Sequence, residues 1–199
     1  GPDDEPLGAL GLAAGGAVRR RLEAAYEAHA VQGWYAFSRA SQPLQLEAAC
    51  KLYVSPRPAA LPDALAPIVD AFVQVGVRSF KIGRGLEGLL RPDKLMAYFD
   101  DPRQMAEVVT LLEQRLAGCP VQGVPFTAEL GGDGLVSAGV DPSSAHGATS
   151  WRAWITRRMA ESLAAHPGAA PQARVDATLA DLAAAGVDTA RWWLVPPAP

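Results

Sequence analysis

Residues 51–99 read KLYVS (51–55), PRPAA (56–60), LPDALAPIVDAFVQVG (61–76), VRSFKIG (77–83), RGLEGLL (84–90) and RPDKLMAYF (91–99). In KLYVS the two-residue period of a strand puts Leu52 and Val54 on one face and Lys51, Tyr53 and Ser55 on the other. The same period sets Val77, Ser79 and Lys81 against Arg78, Phe80 and Ile82, and sets Lys94, Met96 and Tyr98 against Leu95, Ala97 and Phe99. Phe80 and Ile82 are the expected core contacts, which leaves Lys81 for solvent or a cleft. Three short strands therefore carry Lys51, Lys81 and Lys94, with Arg78, Arg84 and Arg91 beside them. The chain as a whole holds 18 basic and 21 acidic side chains, a net charge of −3. So dense a cluster of cations in a net acidic chain calls for an anionic group to bind.

Outward from this stretch, strands alternate with helices. Leu65, Ile68, Val69 and Phe72 form one stripe of a helix from about Leu61 to Gly76; Pro67 either kinks it or sits at the first position of a helix beginning near Ala66. Asp101-Pro102 opens a helix to about Leu116, closed by Gly118. Gly83, Gly85 and Gly88 lack the GK[ST] ending of a phosphate loop and read as a flexible loop carrying Arg84. Upstream, residues 1–16 read as a flexible segment, Ala17–Ala30 as a helix bearing Arg19, Arg20 and Arg21, and Gln32–Phe37 as a short strand. The arginine triplet reads as a solvated face or as a contact for phosphate or an acidic peptide. Leu44–Cys50 is ambiguous. Downstream, extended segments are expected near Phe126–Leu130 and Leu135–Gly139, and a loop over Asp141–Thr149. A helix over Trp151–Ala165 is capped by Ser150, a second runs over Pro171–Ala185, and Ala190–Val195 reads as a last strand. One of Trp192 and Trp193 then faces the core and the other a surface. The expected architecture is α+β: residues 17–199 form a single domain with a central mixed, mostly antiparallel sheet flanked by helices.

Composition narrows the function classes. Hydrophobic residues at 49% and charged ones at 20% of 199 describe a globular chain with a real core. The broad basic surface of a nucleic-acid binder is missing. No apolar run reaches the ~18 residues of a membrane span, and the start lacks the pattern of a signal peptide. No membrane partner and a cytoplasmic setting are expected. Cys50 and Cys119 read as free buried thiols. His29, His146 and His166 lie far apart without acidic neighbours, so no metal or other cofactor is expected.

What remains is a lysine–arginine–tyrosine constellation. Arginine grips phosphate in bidentate fashion. Lysine becomes a base when desolvation and neighbouring cations lower its pKa. Tyrosine can donate a proton to a leaving oxyanion. Together these suit β-elimination of phosphate from phosphoserine or phosphothreonine. The plain alternative is surface charge, since lysine and arginine are common on exposed strand edges.

Lys51-Leu52-Tyr53-Val54-Ser55, Phe80-Lys81, Arg91 through Phe99 and Gly123-Val124-Pro125-Phe126-Thr127 come in an order that resembles the phosphothreonine-lyase-like family. The likeness is nearest to its HopA-type effector-like branch, found in lanthipeptide pathways, and Ser150-Trp151-Arg152 resembles that branch's late segment. It covers roughly residues 50–165. The resemblance implies Lys81 as general base, Lys51 as a phosphate contact that tunes the site, and Tyr53 at the general-acid position. It implies Arg91, Lys94 and Arg152 as phosphate contacts; Arg84 and Arg78 are further candidates from the cluster itself. Two positions depart from the pattern: Tyr53 stands where the effector lyases have histidine, and Ser79 where they have lysine two residues before the base. Tyrosine, with a reference pKa near ~10, starts as the weaker acid. The implied partner is a phosphorylated precursor peptide, prepared by a kinase or another modification enzyme. The alternative is a catalytically silent protein that binds peptide and supports a partner enzyme. Trp34, Tyr35, Trp192 and Trp193 serve either a partner surface or the core.

Overall fold

The computed structural model describes residues 6–46, 50–142 and 150–194. Seven strands form one sheet: β1 (Tyr26–Val31), β2 (Trp34–Arg39), β3 (Cys50–Val54), β4 (Ser79–Gly83), β5 (Leu95–Phe99), β6 (Ala128–Leu130) and β7 (Val136–Gly139), in the order β1-β2-β4-β5-β3-β7-β6. Every pairing from β1 through to β3 is antiparallel. With α1 (Pro6–Ala9), α2 (Ala17–Ala25), α3 (Leu61–Val75), α4 (Gly85–Leu90) and α5 (Pro102–Arg115), this is the α+β architecture expected, a central mixed sheet flanked by helices.

One face of the sheet is the core. Phe37, Leu52, Val54, Phe80, Ile82, Ala97 and Phe99 are all buried, as are Leu65, Ile68, Val69 and Phe72 of α3. Phe80 is the hub: it stacks on Phe37 at 4.7 Å, meets Phe72 at 5.2 Å and takes the edge of Tyr26 at 5.0 Å. Burying each such side chain contributes ~1.5–3 kcal/mol. α3 runs unbroken through Pro67 from a start at Leu61, with a second proline in its first turn, and ends at Gly76 with φ +80°. Asp101 caps α5 by accepting from the Arg103 N–H at 2.8 Å.

Three local readings are corrected. The expected helix over 17–30 stops at Ala25, and Tyr26–Val31 becomes the edge strand β1. The two-residue turn Gln32-Gly33 closes a hairpin in which Val31 faces Trp34, with Gly33 at φ +74°; strand pairing thus overrides the helix propensity of an alanine-rich run. His29 accordingly sits on a strand, its Nε2 2.9 Å from Ser38 Oγ. The glycine-rich run after Lys81 is a helix, α4. It packs so close to β4 that a Cβ on Gly83 would fall 2.2 Å from the Gly88 carbonyl oxygen. Within the first sixteen residues, Pro6–Ala9 forms a helical turn with Leu7 buried, where irregular chain is expected.

The chain divides into two compact units, Gly1–Pro125 with Glu129–Ala138, and Phe126–Ala128 with Gly139–Pro199. The second holds α6 (Trp151–Ala165), α7 (Pro171–Ala184), β8 (Val187–Asp188) and β9 (Trp193–Leu194), built on a cluster of Trp151, Trp154, Ile155, Leu182 and Val187. Ser150 occupies the N-cap position of α6 without a side-chain cap bond; Asp141 Oδ1 accepts from the Trp151 N–H instead, at 2.9 Å. Trp151 Nε1 donates to the carbonyl of Phe126, which is held at φ +61°. Trp192 lies in a turn at φ +55° before β9 and packs its ring edge-on to Phe126 at 4.9 Å. The expected loop over 141–149, including His146, falls largely outside the described residues. No helix among those residues is long and apolar enough to cross a membrane.

Candidate active site

The candidate site occupies the sheet face opposite the core. Register fixes its layout. Lys81 on β4 lies opposite Met96 on β5, and Met96 lies opposite Tyr53 on β3. One step along, Ser79, Tyr98 and Lys51 form the next row. Partners in register project from the same face, so both rows crown one surface, as the alternation of each strand implies. Adjacent strands are ~4.8 Å apart, which separates the backbones at Lys81 and Tyr53 by about 10 Å.

Aromatic rings line this surface. Tyr53, Met96 and Tyr98 form a buried cluster against which Trp34, Leu46 and Val124 pack. Lys81 Nζ stands 4.3 Å from the Trp34 ring centroid and 5.8 Å from that of Tyr98; Lys51 Nζ lies 5.4 Å from Tyr98. Ala36 is Lys81's partner across β2, and its single methyl leaves room for the lysine chain to lie toward Trp34. Arg91 reaches the same indole, its Cζ 4.8 Å from the centroid. Trp34 thus touches two cations at once, each contact worth ~0.5–1 kcal/mol where exposed and more where dry. Lys51 and Tyr53 are both buried.

Arg91 closes α4 and pairs bidentately with Asp93, Nε to Oδ1 at 2.9 Å and Nη2 to Oδ2 at 3.0 Å. The hydrogen bond to Asp93 is the main reason its pKa rises above the usual arginine value. The pair fixes the guanidinium over Trp34, with the Nη1 edge outside the fork.

Lys94 is held differently from Lys51 and Lys81. It is fully buried, and its Nζ donates to the Pro56 carbonyl at 2.9 Å and to Gln122 Oε1. Burial pushes its pKa down from the ordinary 10.5 to about 8, against an opposing pull from Asp93. Alternation does place it on the same side as Met96. The segment after Cys119 then crosses that end of the face: Val121 bridges Pro56, and the Gln122 N–H donates to Ser55 O at 2.9 Å. Lys94 pins this crossing through its bonds to Pro56 and Gln122.

The remaining cations are carried by other elements. Arg84 occupies the N-cap position of α4 without a side-chain cap bond, and its Cζ lies 5.5 Å from the ring of Tyr35, whose register partner is the core residue Ile82. Arg78 lines a polar cavity at the end of β4 whose walls also include Ser79 and Tyr98 of the second row. Arg152 is carried by α6 in the second unit. The Arg19–Arg21 triplet has partners within the fold, Arg19 in Glu23 at 2.7 Å, Arg20 in the Gly15 carbonyl and Arg21 in Asp70 of α3. Among the described residues no cluster of three or more His, Cys, Asp or Glu side chains could hold a metal ion. Cys50 and Cys119 are free thiols, the second only partly buried.

Two participants are missed by the sequence reading. Asp93 is hidden in a motif read for its cations, although an acid two residues from an arginine signals a local pair. Tyr98 falls on the expected face, and its ring is the surface on which both lysines converge.

No family model matches the chain, and no curated protein matches it significantly. Among solved structures, the effector protein from Pseudomonas syringae pv. syringae strain 61 is similar at TM-score 0.52 and 17% identity, over 81% of this chain and 62% of that one. The type III effector and phosphothreonine lyase OspF from Shigella flexneri aligns at TM-score 0.48 and 14% identity, over 61% of this chain and 72% of that one. The VirA (SpvC) phosphothreonine lyase effector of Chromobacterium violaceum aligns at 0.43 and 13%, over 58% and 65%. The likeness to the Pseudomonas syringae effector is one of fold, and this chain spans less than two thirds of that effector's length.

Proposed function

We propose that the chain is a metal-independent carbon–oxygen lyase that eliminates phosphate from phosphoserine or phosphothreonine in a precursor peptide. The observation that carries this reading is the row Lys81–Met96–Tyr53, with Lys51 and Tyr98 in the next row and Arg91 joined to Lys81 through Trp34. A phosphorylated side chain lying over β5 would meet a lysine from one side and a phenol from the other. Lys81, as the neutral amine, takes the Cα proton. The Cα–H electron pair forms the Cα–Cβ double bond as the Cβ–O bond breaks, and the phosphate leaves with that bond's electrons. Tyr53 protonates the departing oxygen, while Lys51 and Arg91 hold the charge that builds on phosphate. The products are inorganic phosphate and dehydroalanine or dehydrobutyrine. A kinase-class reaction must precede this one, and the dehydro residues would serve natural-product maturation.

One observation favours a second reading. Tyr53 is 2% exposed within the Met96–Tyr98 cluster, a setting that also suits a packing residue, in which case the protein binds peptide without turning it over. Intact mass of a phosphorylated peptide incubated with excess chelator separates the two. Loss of the elements of phosphoric acid with the parent but not with Lys81→Ala is the expected result. Measurable peptide binding with no mass change in the parent replaces the lyase by the silent binder.

A further inference from the structure

We infer that the polar cavity beside Tyr98 is a recognition subsite for a carboxamide of a bound peptide, supplied by an Asn or Gln side chain or by the peptide backbone. That the bound chain is a substrate peptide rests on the lyase reading; the ligand chemistry rests on the cavity itself. It measures about 270 Å³, room for one side chain rather than a cofactor, and its walls include Arg78, Ser79, Tyr98, Asp100, Asp101 and Gln104.

Its position suits a neighbour of the modified residue. Ser79 and Tyr98 face each other in the row next to Lys81–Met96. Two residues along a strand are ~7 Å, and an extended peptide advances by the same distance over two of its own residues. A phosphoresidue at Lys81 therefore brings a residue one or two positions away over the cavity.

The polar groups select the chemistry. Arg78 Nε is buried and has no hydrogen-bond acceptor among the described residues, a state that proteins rarely leave uncorrected. Asp100 accepts two long contacts, both 3.3 Å, from Gln45 Nε2, and keeps lone pairs to spare. Asp101 is committed to the Arg103 N–H, and Gln104 Nε2 to the carbonyls of Val75 and Gly76. An anion here meets two carboxylates, and a cation meets a guanidinium. A neutral group with an acceptor and a donor on the same carbon satisfies both sides: its C=O accepts from the Arg78 guanidinium, and its N–H donates to Asp100.

The probes are N-acetyl-glutamine N-methylamide and its leucine counterpart, followed by backbone amide NMR of the ¹⁵N-labelled chain. The glutamine probe is expected to shift Gly76, Ser79 and Asp101 and to bind about tenfold more tightly than the leucine probe, the effect of one hydrogen bond to a charged group. That advantage should vanish in Arg78→Met, and in Asp100→Asn should that first variant fold poorly. Equal binding of both probes, abolished in the same variants, assigns the backbone amide as the source. No shift at these residues with either probe overturns the subsite. In the second arm, phosphopeptides with Gln or Leu beside the phosphoresidue are compared in the parent and in Arg78→Met. A lower KM for the Gln peptide at equal kcat, lost in the variant, is expected. Elimination with no probe binding sinks the subsite alone; probe binding with no elimination of any peptide sinks the lyase reading alone.

Discussion

Replacing Lys94 with methionine tests whether that lysine is a buried tie or a phosphate ligand. Its folded-state pKa of about 8 lies below the ordinary 10.5. Below pH 8 both folded and unfolded chains carry the proton, so the folded state bears the full cost of a buried charge. Between about 8 and 10.5 the unfolded chain holds more protons than the folded one, so stability rises with pH through that window. The whole effect is on the order of 3 kcal/mol, at ~1.4 kcal/mol per factor of ten in proton affinity. The thiols of Cys50 and Cys119, raised mainly by burial, act in the opposite direction: each ionises first in the unfolded chain, which lowers stability above pH 9. Both thiols are common to parent and variant, so the difference between the two proteins isolates Lys94. Urea melts at pH 7 and pH 10, with equal slopes, should show the parent gaining on Lys94→Met by on the order of 2 kcal/mol. A difference that stays flat with pH refutes the buried lysine. Stabilisation of the parent by inorganic phosphate that is absent from the variant would restore the phosphate role expected from the sequence.

Trp34→Leu removes the surface shared by Lys81 and Arg91; a loss of ~1–2 kcal/mol predicts kcat/KM for a phosphopeptide about 5- to 30-fold lower, with the thermal midpoint little changed. Unaltered kinetics would mean that the indole positions neither cation. Gly88→Ala forces a Cβ to within 2.6 Å of the Gly83 carbonyl carbon, a backbone clash expected to cost ~1–3 kcal/mol in urea melts; a neutral result would show that α4 shifts freely. Tyr53→Phe should lower the single-turnover elimination rate by ~10²–10⁴ while the fold persists, and full activity would move the acid role to another group.

The sheet face was legible because a period of two is unforgiving. Once Leu52, Phe80 and Ala97 point to the core, Lys51, Tyr53, Lys81 and Tyr98 must point away, and the register then had only to align the strands. What the period cannot reveal is what crosses above a strand. Lys94 has the same parity as Met96 and a different fate, because Pro56 and Gln122 arrive from residues 38 and 28 positions distant in sequence. The hairpin at Gln32-Gly33 was hidden for a related reason: Tyr26, His29 and Ala30 satisfy a helical spacing locally, and only pairing with β2 decides against it. The glycines of 83–88 read as freedom and act as contact, since close packing of two backbones also demands residues without a side chain.

The same distinction bears on how the site would work. Lysines at Lys51 and Lys81 repel one another, and strands alone would leave both in water, where the repulsion is screened. Here the rings of Trp34, Tyr53 and Tyr98 take the place of that water on one side. The cations are thereby held together on an apolar floor. An arriving phosphate dianion would meet both lysines on this floor. On this reasoning free phosphate should compete with a phosphopeptide for the site, and Tyr98→Leu should weaken both ligands in the same proportion. A variant that loses the peptide but retains phosphate would locate the affinity in the peptide chain and not in this floor.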